Sequence, residues 1–117
     1  MATIKIKNLK LRAIVGINSW ERHTKQNIII NVMIDYDAAL AAKTDRIEDT
    51  IDYKTIKKNI IKEVEHSKYF LLEKLTAQIL NLVMENKKVR AVTVEIDKPK
   101  ALRFADSVSV TLHKKRK

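Results

Sequence analysis

The chain has 117 residues, a length that suits one domain with a buried core. It carries 24 Lys and Arg against 14 Asp and Glu, a net charge of +10, and it contains no Cys. The lack of Cys excludes disulfides and thiolate chemistry, and no apolar run approaches the roughly 18 residues of a membrane span. We therefore expect one cytoplasmic domain over 1–117 with a basic tail at 113–117 and no contact with membranes.

Two strands are predicted at the start of the chain. Apolar residues alternate over 3–15 with a slip near Asn8, the pattern of a strand interrupted by a β-bulge. A polar loop follows, and the second strand covers 26–36. One face of this second strand is apolar throughout, and the other is partly so, with Ile29 and Met33. Because a half-solvated sheet shows polar residues on its open face, this pattern predicts that oligomerisation covers part of it.

Two helices and two further strands follow an irregular connection. Apolar residues recur at helical spacing over 53–66, after Asp52 as the N-cap, and again over 71–86. Alternating apolar residues then predict strands around 92–96 and 108–112. The order β-β-α-α-β-β predicts an α+β fold, with two helices on one face of a four-stranded antiparallel sheet.

Four polar side chains stand out because each lies in the first loop, at the start of a predicted helix or at the end of a predicted strand: Glu21, Tyr53, Glu73 and Lys98. Taken singly, each has an ordinary structural explanation as a loop acid, a core tyrosine, a helix-dipole partner or a strand-end lysine. The three His residues are scattered without ligand spacing, so we expect no metal site.

Short segments that follow one another along nearly the whole chain form a recognisable set: Ile6-Lys7-Asn8-Leu9, Val15-Gly16-Ile17, Glu21-Arg22, Gln26, Asp45, Asp49-Thr50-Ile51-Asp52-Tyr53, Leu72-Glu73 and Asp97-Lys98-Pro99. Together they resemble the dihydroneopterin aldolase family. A second set is similar to the dihydroneopterin triphosphate 2′-epimerases within it: Leu9-Lys10-Leu11-Arg12, Asn59-Ile60-Ile61, Leu71-Leu72-Glu73-Lys74-Leu75-Thr76 and the segment 96–109. Only Trp20-Glu21-Arg22 is more like the aldolases.

The resemblance implies a tunnelling fold (T-fold), in which subunits join their sheets edge to edge into a ring of four and two rings stack into a homo-octamer. It also implies active sites between subunits, a pterin substrate, and neither a metal nor another cofactor. At the matching positions, Glu73 anchors the pterin with backbone groups near Leu72, because a carboxylate accepts both parallel N–H donors of the ring edge. The implied catalytic residues are Lys98, Glu21 and a Tyr53 donated by the adjacent subunit.

The implied reaction is a retro-aldol cleavage of C1′–C2′, after a base removes the 2′-hydroxyl proton. Lys98 is the candidate base, directly or through a water; burial would favour its neutral amine and a close Glu21 would oppose it. Re-addition of the retained aldehyde through its other face would epimerise 7,8-dihydroneopterin triphosphate at C2′ to 7,8-dihydromonapterin triphosphate, which is the favoured function. Lys100 and Arg103 are the candidate triphosphate ligands.

Two alternative functions are open, and only the first uses the same site residues. Release of glycolaldehyde from unphosphorylated dihydroneopterin would leave 6-hydroxymethyl-7,8-dihydropterin and make the protein an aldolase of folate biosynthesis. A non-catalytic module whose basic tail binds nucleic acid is the third reading, but aromatic residues make up only 5% of the chain, which leaves little to stack bases on. We therefore expect no nucleic-acid partner.

Overall fold

The secondary structure follows the predicted order, with some additional short elements. A computed structural model describes residues 1–117, and its strands and helices are β1 (Ala2–Val15), β2 (Gln26–Tyr36), α1 (Ala39–Thr44), α2 (Tyr53–His66), β3 (Lys68–Tyr69), α3 (Leu72–Met84), β4 (Val89–Pro99) and β5 (Ser107–Lys115). Two 3₁₀ turns cover Ser19–Arg22 and Ile47–Asp49. The short helix α1 lies in the connection that the sequence pattern left irregular.

The strands form one sheet in the order β3-β1-β2-β4-β5. The expected count of four strands is wrong, because the two-residue β3 pairs in parallel with Ile14 and Val15 at the end of β1. A strand of two residues has no periodicity to detect in a sequence. The other four strands are antiparallel, as predicted.

The predicted bulge in β1 is present and sets which side chains face the helices. The pairing of β1 with β2 shifts between Ile6 and Leu9, and Asn8 has a φ of 53°. The Asn8 N–H donates to Oδ1 of Asn31 at 2.9 Å, so the displaced backbone keeps a partner. Even-numbered apolar residues before the bulge and odd-numbered ones after it thus face the same side of the sheet.

The core lies between one face of the sheet and the helices α2 and α3. Its members include Ile28, Ile30, Val32 and Ile34 of β2, Ile56, Ile60 and Val64 of α2, and Leu75, Ile79 and Val83 of α3. Helix α2 begins where predicted, because Oδ1 of Asp52 accepts the N–H groups of Lys54 and Thr55. No helix packs on the opposite face of the sheet, where Met33 is exposed and Ile29 is half-buried.

The basic C-terminal residues belong largely to this fold. Strand β5 continues to Lys115, so residues 113–115 are strand and not a solvated tail. Arg116 donates to the carbonyls of Met84, Asn86 and Val89 at 2.6, 3.2 and 2.9 Å. Its guanidinium therefore donates to backbone carbonyls at the C-terminal end of α3, where a positive charge is favourable. None of the helices is long and apolar enough to cross a bilayer.

Candidate active site

Two of the predicted residues, Glu21 and Lys98, meet in a buried ion pair. Lys98 lies near the end of β4, two residues beyond the buried Ile96, so its side chain points to the helix side of the sheet. Its Nζ lies 2.5 Å from Oε2 of Glu21 and 3.0 Å from the carbonyl oxygen of Val15. The two side chains are only 14% and 6% exposed. A charge pair this shielded from water interacts far more strongly than a surface pair.

The carboxylate of Glu21 is held from several sides. Gln26 Nε2 donates to Oε2 at 3.0 Å and to the Val15 carbonyl at 3.1 Å, and the Asn18 N–H donates to Oε1 at 3.1 Å. Burial by itself would raise the pKa of the Glu21 carboxyl, but three hydrogen bonds and the charge of Lys98 outweigh burial and lower the pKa from 4.5 to about 2. Glu21 is therefore an anion at every physiological pH.

Gly16 gives the Glu21 carboxylate the space it needs. Gly16 is the only glycine of the chain, and its φ of 146° is one that other residues rarely adopt. A Cβ at this position would lie 2.2 Å from Cδ of Glu21. The end of β1 thus requires glycine for two reasons, the backbone conformation and the close approach of the acid.

Arg22, next to Glu21, fastens the same turn to the neighbouring strand. Its guanidinium donates to the carbonyls of Gly16 and Tyr69, both at 3.0 Å, and to the carbonyl of Lys68. The guanidinium carbon also lies 3.9 Å from the ring centroid of Phe70. The turn that carries Glu21 is therefore tied to β3 and the residue that follows it.

Glu73 and Leu72 lie at the same end of the molecule as the ion pair. They open α3, and β3, just before them in the chain, pairs with β1 at Val15, whose carbonyl Lys98 contacts. Glu73 is exposed, and its carboxylate makes no hydrogen bond or ion pair within the chain. The N-cap position, Leu71, offers no side-chain cap, so the first N–H groups of α3 are open donors beside an open acceptor.

Tyr53 lies at the opposite end of the same chain. Lys88, which precedes β4, donates to the Thr50 carbonyl at 3.1 Å, so the start of α2 lies beside the start of β4. Lys98 lies near the other end of that strand. At about 3.3 Å per residue, the nine steps from Val89 to Lys98 span roughly 30 Å. A single chain therefore does not bring Tyr53 to the ion pair.

The remaining candidates, Lys100 and Arg103, lie on the exposed loop between β4 and β5, at the ion-pair end. The loop closes with a hydrogen bond from the Lys100 N–H to the Asp106 carbonyl at 3.1 Å, and Lys100 has a φ of 62°. The Arg103 guanidinium carbon lies 5.6 Å from the ring of Phe104. Both side chains are exposed and make no ion pair within the chain, so they are available to bind an anionic group.

Sequence reasoning missed the residues that hold the pair in place. The roles of the Val15 carbonyl, Gly16, Arg22 and Gln26 depend on backbone contacts, which no side-chain periodicity reveals. Two signals point to these residues: the single glycine of the chain directly follows β1, and Gly16, Arg22 and Gln26 all belong to the segments that resemble the family. One surface hollow of the chain lies on the helix-free face of the sheet, around Lys5 and Met33, away from Glu21 and Lys98.

This arrangement is suited to moving a proton. In its ammonium form Lys98 has three N–H groups, of which Glu21 and Val15 accept two, so one direction remains for a bound molecule or a water. Glu73 and the start of α3 offer an acceptor and donors at the same end. The fold and the site thus define an α+β protein with an acid–base site near a helix N-terminus.

The comparisons with known proteins identify the family. The sequence model of the family described as dihydroneopterin aldolase matches residues 4–113. The chain is 51% identical to a dihydroneopterin triphosphate 2′-epimerase of Pseudomonas aeruginosa and 49% identical to that of Escherichia coli, over 96% and 95% of this chain and 91% and 92% of theirs. A dihydroneopterin aldolase of Haemophilus influenzae is 26% identical over 96% of this chain and 95% of its own length. The chain belongs to the dihydroneopterin aldolase family.

Solved structures of aldolases share the fold. The Escherichia coli dihydroneopterin aldolase, in complex with neopterin, has a TM-score of 0.92 at 24% identity, with 97% of this chain and 99% of that chain covered. A Burkholderia dihydroneopterin aldolase bound to guanine has a TM-score of 0.85 at 24% identity and covers 99% of this chain and 92% of that chain. The α+β prediction is therefore confirmed.

Proposed function

We propose that this protein is an epimerase that inverts C2′ of 7,8-dihydroneopterin triphosphate through retro-aldol and aldol steps. The observation that carries the proposal is the Lys98 ammonium, which Glu21 and the Val15 carbonyl hold with one N–H direction left open. The proposal is supported by identities of 51% and 49% to epimerases, against 26% to an aldolase.

The pterin ring is assigned to the start of α3. The carboxylate of Glu73 is exposed and unpaired within the chain, and it would accept the two parallel N–H donors of the ring edge. The open N–H groups near Leu72 would donate to the ring's carbonyl oxygen. The aldolase structures contain neopterin in one case and guanine in the other, and both molecules have a ring edge with an amino group and an oxo group.

Proton transfer is assigned to Lys98 with Glu21 as its fixed counter-charge. Lys98 first gives one ammonium proton to a water, and its neutral amine then takes the 2′-hydroxyl proton, directly or through a water, as the C1′–C2′ bond breaks. The 2′ carbon leaves as an aldehyde, and the electron pair of the broken bond moves from C1′ into the C=N system of the dihydropterin. The adjacent carboxylate stabilises the ammonium that forms, and that ammonium later returns its proton to the 2′ oxygen.

Epimerisation requires that the aldehyde stay in the site, turn over and re-add to C1′. A triphosphate held by cations would anchor this fragment, and the exposed Lys100 and Arg103 are assigned that role. Tyr53 is assigned to proton transfer in the same site, together with Lys98. If C1′ is protonated before the aldehyde re-adds, the products are those of an aldolase, which remains the alternative activity.

Tyr53 is assigned to the neighbouring subunit of a ring, since the length of β4, roughly 30 Å from Val89 to Lys98, separates the start of α2 from the ion pair within one chain. Apolar side chains that are more than half exposed occur at both ends of the molecule. Ile17, Trp20, Phe70 and Leu71 lie at the ion-pair end, and Leu40, Ile47 and Tyr53 lie at the other. Contact between the two patches, head to tail, would bury both and close a ring.

The sheet also has two open edges that support a ring. β3 covers only the last two residues of β1, and β5 has no neighbour on its outer side. Because β1 and β5 run in opposite directions, β1 of one copy would continue the antiparallel sheet of the next. The open edges support the edge-to-edge ring that the family resemblance implies, and on that resemblance we assign the protein to the T-fold, with the chain as one domain, four copies in a ring and two rings in an octamer.

A product assay tests the proposal. The protein is incubated in separate reactions with 7,8-dihydroneopterin triphosphate and with unphosphorylated 7,8-dihydroneopterin. After dephosphorylation and oxidation, neopterin, monapterin and 6-hydroxymethylpterin are separated by chromatography. We expect monapterin, chiefly from the triphosphate. 6-Hydroxymethylpterin, chiefly from the unphosphorylated compound, would show an aldolase instead, and no product from either would refute both.

A further inference from the structure

Arg22 makes an unusually large number of contacts for an arginine in a surface turn. Its guanidinium donates to three carbonyls, those of Gly16, Lys68 and Tyr69, and lies flat enough over Phe70 for a centroid distance of 3.9 Å. No carboxylate takes part, so the group acts through its planar set of N–H donors and not through an ion pair.

These contacts join two segments that the proposed reaction uses separately. On one side, Arg22 belongs to the 3₁₀ turn that carries Glu21, and its bond to the Gly16 carbonyl folds that turn back on itself. On the other side, Lys68, Tyr69 and Phe70 lead directly into α3, whose first turn carries Glu73. The backbone also joins the two segments, through the short pairing of β1 with β3 and a hydrogen bond from the Gly16 N–H to the Tyr69 carbonyl at 3.2 Å.

We infer that Arg22 is a positioning residue that sets the spacing between the proton-transfer pair, Glu21 and Lys98, and the pterin anchor, Glu73. The inference rests on the proposed function, because it gives both groups a common substrate. Arg22 itself touches none of the reacting atoms. A shift of about 1 Å between a bound ring and its proton acceptor slows a reaction by roughly 100-fold, so a clamp at this junction has a large effect on rate.

Arg116 provides a matched control. It also donates to three carbonyls, those of Met84, Asn86 and Val89, and it does so at the end of α3 opposite Glu73. Loss of either arginine removes a comparable set of hydrogen bonds and so a comparable part of the stability. Only the loss of Arg22 would alter the junction between the turn and α3.

The experiment compares Arg22→Ala with Arg116→Ala, by thermal unfolding and by kcat and KM for the substrate that the wild-type protein turns over. We expect similar losses of stability, and a fall in kcat/KM of about 10- to 100-fold for Arg22→Ala alone. Millimolar guanidinium should restore activity to Arg22→Ala by occupying the carbonyl-lined space over Phe70, whereas methylammonium at the same concentration should not. If Arg22→Ala does not fold, Arg22→Lys, which keeps the charge without the planar donors, replaces it, with an expected loss of about 5-fold or more.

Equal, small effects of the two alanine variants on kcat/KM would overturn the inference, as would a loss that guanidinium leaves unchanged. For Arg22→Lys, wild-type kcat/KM would overturn it. The variant Lys98→Ala distinguishes a failure of the role inferred for Arg22 from a failure of the proposed function. If Lys98→Ala is inactive while Arg22→Ala is fully active, only the role of Arg22 falls; if Lys98→Ala keeps wild-type turnover, the proposed function falls.

Discussion

Lys98 and Glu21 are 77 positions apart in the chain, yet Nζ of one lies 2.5 Å from Oε2 of the other. The pair forms because β1 and β4, which flank β2, both end at the same end of the sheet, and the turn that follows β1 brings Glu21 to Lys98. Gln26, the first residue of β2, donates to the same two oxygens as Lys98 does. Three separate segments thus converge on one carboxylate, which explains why the pair tolerates its burial.

Replacement of Lys98 by Met should abolish turnover and destabilise the fold. Turnover should fall by at least about 100-fold, since the proton acceptor is gone. Stability should fall by about 3 kcal/mol, because Glu21 remains as a buried charge without its partner. Chemical denaturation and steady-state kinetics measure the two effects. The double variant Lys98→Met with Glu21→Gln should regain stability but not activity; recovered activity would contradict the role of Lys98.

The Glu21 carboxyl predicts a specific pH dependence of stability. Its pKa in the folded protein is about 2, below the ordinary 4.5, so the pair stabilises the fold above pH 4.5 and this contribution disappears as the pH falls towards 2. A shift of this size corresponds to about 3 kcal/mol. Urea denaturation at several pH values should show a steeper loss for the wild-type protein than for Glu21→Gln between pH 4.5 and 2. Parallel curves for the two proteins would contradict the assignment.

Gly16→Ala should damage both backbone and site. The residue has a φ of 146°, and the new Cβ would lie 2.2 Å from Cδ of Glu21. We expect a loss of stability of about 1–3 kcal/mol from the backbone alone, together with a marked drop in kcat as the carboxylate moves. Ser19→Ala, in the same turn, is the control and should behave like the wild type. A Gly16→Ala variant with normal kcat would show that the position of Glu21 is not critical.

Tyr53 and Lys98 should complement each other between subunits. Tyr53→Phe and Lys98→Ala proteins, each of low activity, are mixed, unfolded and refolded together. If each site takes Tyr53 from one copy and Lys98 from the next, about a quarter of the sites in an equal mixture are intact, so about a quarter of wild-type activity should return. The double variant refolded with the wild type serves as the control for assembly. No gain over the sum of the two parents would place both residues in one subunit.

Arg103 and Lys100 should matter for the phosphorylated substrate alone. Replacement of either by Ala should raise KM for 7,8-dihydroneopterin triphosphate by about 5- to 20-fold, because each would lose a charge-assisted contact with phosphate oxygens. KM for the unphosphorylated compound should stay the same. Lys57→Ala, which removes an exposed lysine from α2, is the charge-matched control. An equal rise of KM for both compounds would point to the loop's shape and not to its charge.

The sequence predicts the elements of this fold well because their signals are local. The bounds of α2, Tyr53–His66, and of β2, Gln26–Tyr36, agree with the periodicity, and Asp52 caps α2 as expected. The bulge at Asn8 was also visible, since it shifts the alternation by one residue. Strand β3 is a different case, because two residues in parallel with the end of β1 leave no pattern in the sequence.

The site was only partly predictable for a similar reason. Glu21 and Lys98 were picked out individually, but their contact depends on the order of the strands, which periodicity does not contain. The Val15 carbonyl is a backbone acceptor, and the Arg22 guanidinium binds backbone carbonyls of a segment distant in the chain, so neither contact leaves a periodic pattern in the sequence. The separation of Tyr53 from Lys98 follows from the start of α2 lying beside the start of β4, a long-range contact that periodicity does not contain.

Because Tyr53 and Lys98 lie apart within one chain, the proposed site couples assembly of the ring to binding of the substrate. In the proposed ring, a substrate that touches Lys98 of one copy and Tyr53 of the next would bind the ring more tightly than the free chain, and by mass action it would favour the ring. Specific activity should then decline on dilution even though every chain stays folded, and saturating substrate should delay the decline. The amount of protein in the cell would thereby act as a control on its own turnover number.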